Sequence, residues 1–272
     1  MDQFLLTLLR AVGIQLLGVF GIFFVFGFAL SIIQGATHKI YRRSVGWKGI
    51  LWTGWFGTPI HELSHAIVAK IFRHKIQKIA LFQPDERQGD LGLVDHSFNK
   101  WNIWHRIGNF FIGAAPMIFG SAFLALMVYY LVPNGRDVFT PLTNGFTSID
   151  VAFRALKETL ANLFALEHLK AWNFWLFLYL SFAVASHLAP SKIDRKGMWN
   201  GFIWIVGLLI LVNIVALLFG VELTQYILRV NQYLGIFIAI FTYALVISVI
   251  HFLVASVVLW PLVRRRSRSS GL

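Results

Sequence analysis

The feature that most constrains this chain is a succession of long apolar runs. Each run is about 20 residues long, which is the length that an α-helix needs to cross a hydrocarbon core about 30 Å thick. We therefore predict an all-α polytopic membrane protein with about six transmembrane helices. The predicted spans are residues 11–33, 49–72, 107–132, 172–189, 201–220 and 234–260.

The composition supports a membrane protein and gives no sign of a separate soluble domain. Of the 272 residues, 57% are hydrophobic and only 13% are charged, whereas a soluble domain carries about a quarter charged residues. No polar stretch is long enough to bury a core of its own. We therefore expect a single integral membrane domain over residues 1–272, with a disordered basic tail at 264–272.

The basic residues bear on orientation and on partners. The formal net charge is +12, but Lys and Arg lie mainly in short loops between the apolar runs. This distribution favours topology signals and contacts with lipid headgroups over nucleic-acid binding. If both termini are cytoplasmic, the inner loops carry the larger share of the Lys and Arg residues, although a basic loop at 39–48 opposes this orientation. We expect a multi-pass protein of a prokaryotic inner membrane with cytoplasmic termini.

Two further segments are neither apolar spans nor simple loops. Residues 76–98 contain two short β-like runs around the turn-rich sequence PDERQGD, which predicts a membrane-associated hairpin. Residues 151–170 carry apolar side chains at helical spacing with charges between them. This pattern indicates either an amphipathic helix on the membrane surface or an ordinary connecting helix.

The second apolar run contains an unusual polar cluster. Residues 57–72 read GTPIHELSHAIVAKIF, which places two His and a Glu in a stretch otherwise suited to lipid. On a helix, His61 and His65 share a face and can bind one metal ion, with Glu62 beside it to activate a bound water. Neutral imidazoles suit Zn²⁺. The metal would also stabilise Glu62, which has no Lys or Arg within its own helical turn.

A zinc site needs a third protein ligand, and the chain contains no cysteine to supply one. Asp194 lies between the fourth and fifth predicted spans, on the predicted inner side and at a depth similar to that of the HELSH motif. We favour Asp194 as the third ligand. His187, at the inner end of the fourth span, and His251, in the last span, stay open as alternatives. Asp194 also suits a purely structural role as a helix cap.

The third span carries residues that bear on the same site. Asn109 borders this span, and its amide could hydrogen-bond an oxyanion, although a polar residue at a span end also has a structural explanation. Pro116 can bend the helix, and Gly113 permits close helix contact.

Together these residues give the chain a resemblance to the site-2 protease family of intramembrane zinc metalloproteases. Four features match in order: HELSH on a membrane helix, the hairpin-like segment 76–98, a span containing IGAAPMIFG, and an Asp near the start of a later span. The resemblance covers about residues 49–205. The Asp stands in PSKIDRKG, where the family commonly has LDG or NPDG, and no PDZ-like insert is present.

The resemblance implies a function and a set of roles. In the family, the two His of HExxH and a distal Asp bind zinc, and the Glu is the general base. The ligand roles would fall on His61, His65 and Asp194. Glu62 would then be the base, and the hairpin-like segment would present the substrate as an added strand.

The favoured function is therefore that of a zinc-dependent endopeptidase that cleaves in or near a transmembrane segment of a membrane-protein substrate. Two other functions use the same residues: a catalytically silent zinc-binding scaffold and a metal-ion transporter. A scaffold does not need Glu62, and a transporter favours polar residues strung across the bundle. A protease of the prenyl-protein-processing type would need a distal Glu, and the candidates lie on the wrong predicted face. These candidates are Glu158, Glu167 and Glu222.

Overall fold

The computed structural model of the protein describes residues 2–87, 89–143, 149–221, 223–229 and 231–269. Within these ranges the chain is mainly helical, with ten helices and one two-stranded sheet. The helices are α1 (Asp2–Ser44), α2 (Trp47–Ile71), α3 (Ile103–Leu131), α4 (Gly135–Thr143), α5 (Ile149–Leu163), α6 (Leu166–Lys170), α7 (Trp172–Ala185), α8 (Lys192–Leu218), α9 (Thr224–Leu228) and α10 (Asn231–Ser269). The strands are β1 (Lys75–Ala80) and β2 (Leu93–Ser97).

Four of the described helices are long and apolar enough to cross a membrane: α1, α3, α8 and α10. The prediction of an all-α membrane-type fold is confirmed at this level, but the count of six spans is not. α2 has 25 residues, but His61, Glu62 and His65 lower its hydropathy. α7 has only 14 residues. At about 1.5 Å per residue it covers about 21 Å, less than a hydrocarbon core of about 30 Å.

A tight turn joins α1 to α2. α1 continues beyond the predicted span 11–33 as far as Ser44, and α2 begins at Trp47. Gly46 lies between them with a φ of 80°, a left-handed conformation that favours glycine. Residues 39–48, expected to form a loop, are therefore mostly helical.

α3 lies at the centre of the bundle. It contacts α1, α2, α4, α7, α8 and α10. Phe110, Ala114, Met117 and Leu124 on this helix are fully buried within the two largest apolar clusters. Because lipid tails are as apolar as these side chains, close packing between helices holds α3 in place, rather than transfer out of water.

The predicted hairpin is confirmed. β1 and β2 pair antiparallel, with Lys75 opposite Ser97 and Ala80 opposite Leu93. The register shifts between Ile76 and Lys78 on β1. Both strands contact α2, so the hairpin folds back over the helix that carries the HELSH motif.

The predicted amphipathic segment 151–170 forms two helices, α5 and α6. Ala155, Thr159 and Leu163 recur every fourth residue on α5 and are buried, so one face packs inward as the spacing predicts. α5 packs against α4. This short helical layer covers the end of the bundle opposite the hairpin.

The basic tail is the last part of the fold. α10 continues through residues 264–269. The disorder predicted for the basic tail at 264–272 stays a prediction. Residues 270–272 lie outside the described residues.

Candidate metal centre

α2 places His61 and His65 on one face. The residues are four apart, so their side chains project in the same direction, and their Nε2 atoms lie 3.1 Å apart. Gly57, one turn earlier, sets the contact between α2 and the end of α7. A Cβ at Gly57 would collide with the carbonyl of Ala183 and with the ring of His187. Glycine at this position therefore allows the chain after α7 to reach the histidines.

Backbone carbonyls fix the orientation of both imidazoles. Nδ1 of His61 lies 2.6 Å from the carbonyl oxygen of His187, and Nδ1 of His65 lies 2.8 Å from that of Ile112. A carbonyl oxygen only accepts hydrogen bonds, so each Nδ1 carries the proton and donates. In the neutral rings, each Nε2 then presents a lone pair to the space between them. Metal-binding histidines are held by contacts of this kind.

Asp194 completes the group from the first turn of α8. Its Oδ1 lies 3.2 Å from Nε2 of His65, and its Oδ2 lies 3.5 Å from Nε2 of His61. Ser191 caps the helix: its hydroxyl accepts from the Asp194 N–H, and its own N–H donates to Asp194 Oδ2 at 2.7 Å. The cap and ligand roles of Asp194 are therefore compatible, because the capping box holds the carboxylate toward the histidines.

The three predicted ligands lie close enough to share one ion. Donor atoms of His61, His65 and Asp194 all lie within 4.8 Å of one another, and no other such group occurs among the residues that the structure describes. Two imidazole lone pairs and a carboxylate at this range repel one another unless a cation lies between them. Two His and a carboxylate are the protein ligands of many catalytic zinc sites. The residues therefore fit Zn²⁺, and their donor atoms also suit other divalent transition metals.

Glu62 lies beside this group and beneath the hairpin, with only 8% of the residue exposed. The chain passes directly over it at Gly92, just before β2. A Cβ at Gly92 would lie 2.7 Å from Cγ of Glu62 and 2.9 Å from the carbonyl oxygen of Ala80. Glycine at this position therefore lets the hairpin approach the carboxylate closely. A general base needs this placement, next to the metal ligands and sheltered from bulk solvent.

One large cavity joins these residues. Its volume is about 900 Å³, and α1, α2, the hairpin, α3 and the start of α8 form its wall. His61, Glu62, His65 and Asp194 all line it. Ligand sites in proteins commonly have volumes of about 300–1,000 Å³, so the cavity can admit a short segment of peptide.

The two alternative ligands lie outside the group. Nε2 of His187 lies 3.3 Å from the Thr53 hydroxyl, and the part of His187 that contacts His61 is its backbone carbonyl. Nε2 of His251 lies 2.7 Å from the Tyr41 hydroxyl. His187 therefore supports the candidate ligand His61 through its backbone, and His251 is a packing residue of α10.

The remaining sequence candidates occupy different places. Asn109 is buried in the cavity wall, and its amide lies 3.4 Å from that of Asn200. Gly113 packs against the Asp194 backbone, where a Cβ would collide with the carbonyl. Glu158 and Glu167 lie on α5 and α6, at the other end of the bundle. Glu222 lies outside the described residues.

Sequence patterns alone do not point to two features of the site. The first is the support that backbone carbonyls give to both ligand rings, since a carbonyl has no signature in the sequence. The second is a pair of histidines, His74 and His96, whose Nδ1 atoms lie 3.0 Å apart next to the cavity. The only sequence signal for this pair is that His74 lies just before the predicted hairpin and His96 lies near its end.

Comparison of the chain with protein-family models, with curated proteins and with solved structures found no match.

Proposed function

We propose that this protein is an intramembrane zinc metalloprotease of the site-2 protease type, which hydrolyses a peptide bond in or near a transmembrane segment of a membrane-protein substrate. The observation that carries the proposal is the group of His61, His65 and Asp194 with Glu62 beside it, in a cavity of a helix bundle. Ionisable side chains in this setting are costly, and they usually serve a function.

The depth of the site supports cleavage at the membrane. In this proposal α2 and α7 also lie within the bilayer, which gives six spans and places both termini on the same side. The bias of Lys and Arg toward the inner loops favours the cytoplasmic side of a prokaryotic inner membrane. His65 lies six residues before the end of α2, and Ile112 lies nine residues after the start of α3. At about 1.5 Å per residue, the site is then about 9–14 Å from these helix ends.

The three proposed metal ligands and Glu62 have different roles in the proposed reaction. His61, His65 and Asp194 would hold Zn²⁺. When bound, this ion supplies Lewis-acid chemistry, since it polarises a carbonyl and makes water more acidic. Glu62 accepts a proton from the attacking water and donates it to the nitrogen of the leaving amine. The carboxylate therefore acts as base and then as acid within one turnover.

The hairpin suits the delivery of an extended substrate. Proteolysis needs an extended peptide, whereas a transmembrane substrate arrives as a helix. β2 pairs with β1 on one edge, and residues along β2 line the cavity. A peptide added to the other edge of β2 would be held extended by backbone hydrogen bonds.

Glu62→Gln tests the proposed chemistry. The amide keeps the shape of the side chain but cannot accept the proton, so we expect cleavage to fall by about 10²–10⁴-fold. The probe is a synthetic peptide with an apolar core of about 20 residues and a fluorophore and quencher at its ends. Metal content, measured by mass spectrometry on the same samples, should match that of the wild type because Glu62 is not a ligand.

Glu167→Gln is the matched control, because this carboxylate lies on α6 far from the site and is 63% exposed. It should cleave at the wild-type rate. A Glu62→Gln variant that also cleaves at the wild-type rate would contradict the mechanism. No cleavage by the wild type, with the metal present, would favour a zinc-binding scaffold.

A metal-ion transporter is the second candidate, and one observation favours it. His187 lies directly behind His61, and its ring lies 5.3 Å from that of His38. The polar path therefore extends beyond the ligands into the bundle. Uptake of Zn²⁺ by proteoliposomes separates the two functions: a transporter shows flux that His38→Phe reduces, and a protease shows none.

A further inference from the structure

A second group of histidines lies where the hairpin meets the helices. His74 follows the end of α2, His96 lies on β2, and His105 lies in the first turn of α3. The His74 ring is 4.9 Å from that of His96 and 5.4 Å from that of His105. The function proposed above assigns no role to these side chains.

The end of α2 directs His74 inward. Arg73 adopts a left-handed conformation with a φ of 57°, and the N–H of His74 bonds to the carbonyl of Ala69 at 2.8 Å. These are the features of a Schellman motif, although Arg stands where glycine is usual. His74 is 5% exposed, and its ring stacks on Phe98 with their centroids 5.0 Å apart.

Hydrogen bonds determine which nitrogen of each ring carries the proton. Nε2 of His74 lies 2.9 Å from the carbonyl oxygen of His105, so it must donate. In neutral His74 the other nitrogen, Nδ1, is then an acceptor. It lies 3.0 Å from Nδ1 of His96, so His96 donates from Nδ1. In neutral His96, Nε2 therefore carries a lone pair.

Both rings are neutral near pH 7. The pKa of His74 is lowered to about 4: burial lowers it most, the His105 carbonyl opposes this shift, and the neighbouring His96 and His105 rings add to it. Burial also lowers the pKa of His96, and His65 acts in the same direction, while Asp95 and Asp194 oppose it.

His96 faces the cavity that holds the metal centre. Side chains alternate between the two faces of a strand, so position 96 shares a face with position 92. A Cβ at position 92 would collide with the side chains of Glu62 and Thr58 on α2, so this face of β2 is turned toward α2. His96 lines the same cavity as Glu62 and His65.

We propose that His96 is a substrate-binding residue: its Nε2 accepts a hydrogen bond from a backbone N–H of the peptide substrate, and His74 holds the ring in the required tautomer. This inference rests on the proposed function. The side chains of an apolar transmembrane substrate have no hydrogen-bond donors, so its backbone N–H groups are the donors that it offers. Unwinding the substrate helix frees these groups, and each then needs an acceptor at membrane depth.

The tautomer is tested without any substrate. Nitrogen-15 NMR of histidine-labelled protein in detergent micelles, assigned by comparison with His96→Gln, should show neutral His96 with its proton on Nδ1 at pH 7. His74→Phe keeps the stacking on Phe98 but removes the acceptor, so His96 should become a mixture of tautomers. A wild-type His96 that is protonated on Nε2 would overturn the proposal.

Substrate binding is tested on the Glu62→Gln background, with the fluorescent peptide described above as the probe. Adding His96→Ala should weaken peptide binding about 2- to 10-fold, the range for one hydrogen bond. His96→Gln should restore most of the loss, because its side-chain oxygen can take the place of Nε2. His251→Gln is the control, since His251 lies outside the cavity wall, and it should bind normally.

The substrate atom is identified with peptides in which one amide is replaced by an ester. At one position the ester should weaken binding to the parent protein but not to the His96→Ala variant. In active protein, His96→Ala should raise KM and leave kcat nearly unchanged. Equal binding by the parent and by His96→Ala, no binding by the parent, or a loss confined to kcat would each overturn the proposal. If the wild type cleaves nothing, the proposed function fails, and the tautomer and binding results still decide the role of His96.

Discussion

The candidate metal centre and a second polar cluster, formed by His187 with Thr53 and His251 with Tyr41, contain the same residue type in opposite chemical settings. At the metal centre both ligand rings donate from Nδ1 to backbone carbonyls, so their Nε2 lone pairs converge with the carboxylate of Asp194. In the cluster, His187 contacts the Thr53 hydroxyl and His251 contacts the Tyr41 hydroxyl. A hydroxyl can donate or accept, so these two rings are satisfied without a cation.

The difference shows that burial alone does not suit a histidine to bind a metal. His65 is 6% exposed and His251 is 3% exposed, so the two are almost equally buried. They differ in the partners of their ring nitrogens. Of the two, only His65 donates from Nδ1 to a backbone carbonyl, which leaves its Nε2 lone pair without a hydrogen-bond donor. A cation would satisfy this lone pair.

Replacing one histidine in each setting should give the largest difference in cleavage rate. His65→Ala removes one of three ligands, so we expect cleavage of the synthetic transmembrane peptide to fall about 10³-fold or more, to background. His251→Ala removes a ring outside the site and should stay within about twofold of the wild-type rate. Equal losses of cleavage rate in the two variants, measured at equal protein concentration, would show that the two histidine settings do not differ in function.

A smaller effect is expected from Gly113→Ala, which changes no ligand. Its Cβ would collide with the backbone of Asp194, so the start of α8 must shift away from the histidines. We expect zinc affinity, measured by competition with a chelator, to fall about 10- to 100-fold. Gly207→Ala on α8 is the control, because a Cβ there meets nothing within 4 Å. An affinity loss shared by both variants would show that the close contact is not the cause.

Ser191→Ala should have a weaker effect still. It removes the hydroxyl that caps α8 but leaves the backbone N–H that donates to Asp194. Loss of such a cap lowers the free energy of unfolding by about 1 kcal/mol. Zinc affinity should fall only a few-fold, and Ser191→Thr should restore both quantities. An unchanged unfolding midpoint in Ser191→Ala would show that the capping box does not stabilise the start of α8.

The smallest effect on the metal centre is expected from Tyr41→Phe. This change removes the hydroxyl partner of His251 and leaves a buried ring nitrogen without its hydrogen bond. We expect the free energy of unfolding to fall by about 1–3 kcal/mol and zinc content to stay at the wild-type level. Loss of zinc in this variant would show that the two histidine settings are coupled.

The parts of the fold that depend on local pattern could be predicted from the sequence. The four-residue spacing of His61 and His65 needs only helical geometry, and the hairpin follows from a turn-rich segment between two β-like runs. The depth of Asp194 between two predicted spans favours it as the third ligand, and the structure brings it to the histidines. In a single conformation, the Asp194 side chain both caps α8 and faces the two histidines.

The parts that depend on distant backbone could not be predicted. The carbonyls of Ile112 and His187 reach the ligand rings only because α3 and the end of α7 pack against α2. The predicted span 172–189 is longer than α7 because the apolar pattern continues past Ala185, where the helix ends and the chain turns toward the site. His74 and His96 meet through the strand register and the turn at Arg73, and the sequence shows neither contact.

The metal content of purified protein, in wild type and in two variants, decides whether the proposed ligand set is right. We expect about one zinc ion per chain in the wild type, nearly full zinc in His187→Ala, and almost none in Asp194→Ala. His187→Ala keeps the backbone carbonyl that supports His61, whereas Asp194→Ala removes a ligand. Full zinc in Asp194→Ala, or loss of zinc in His187→Ala alone, would contradict the ligand set proposed for this membrane protein.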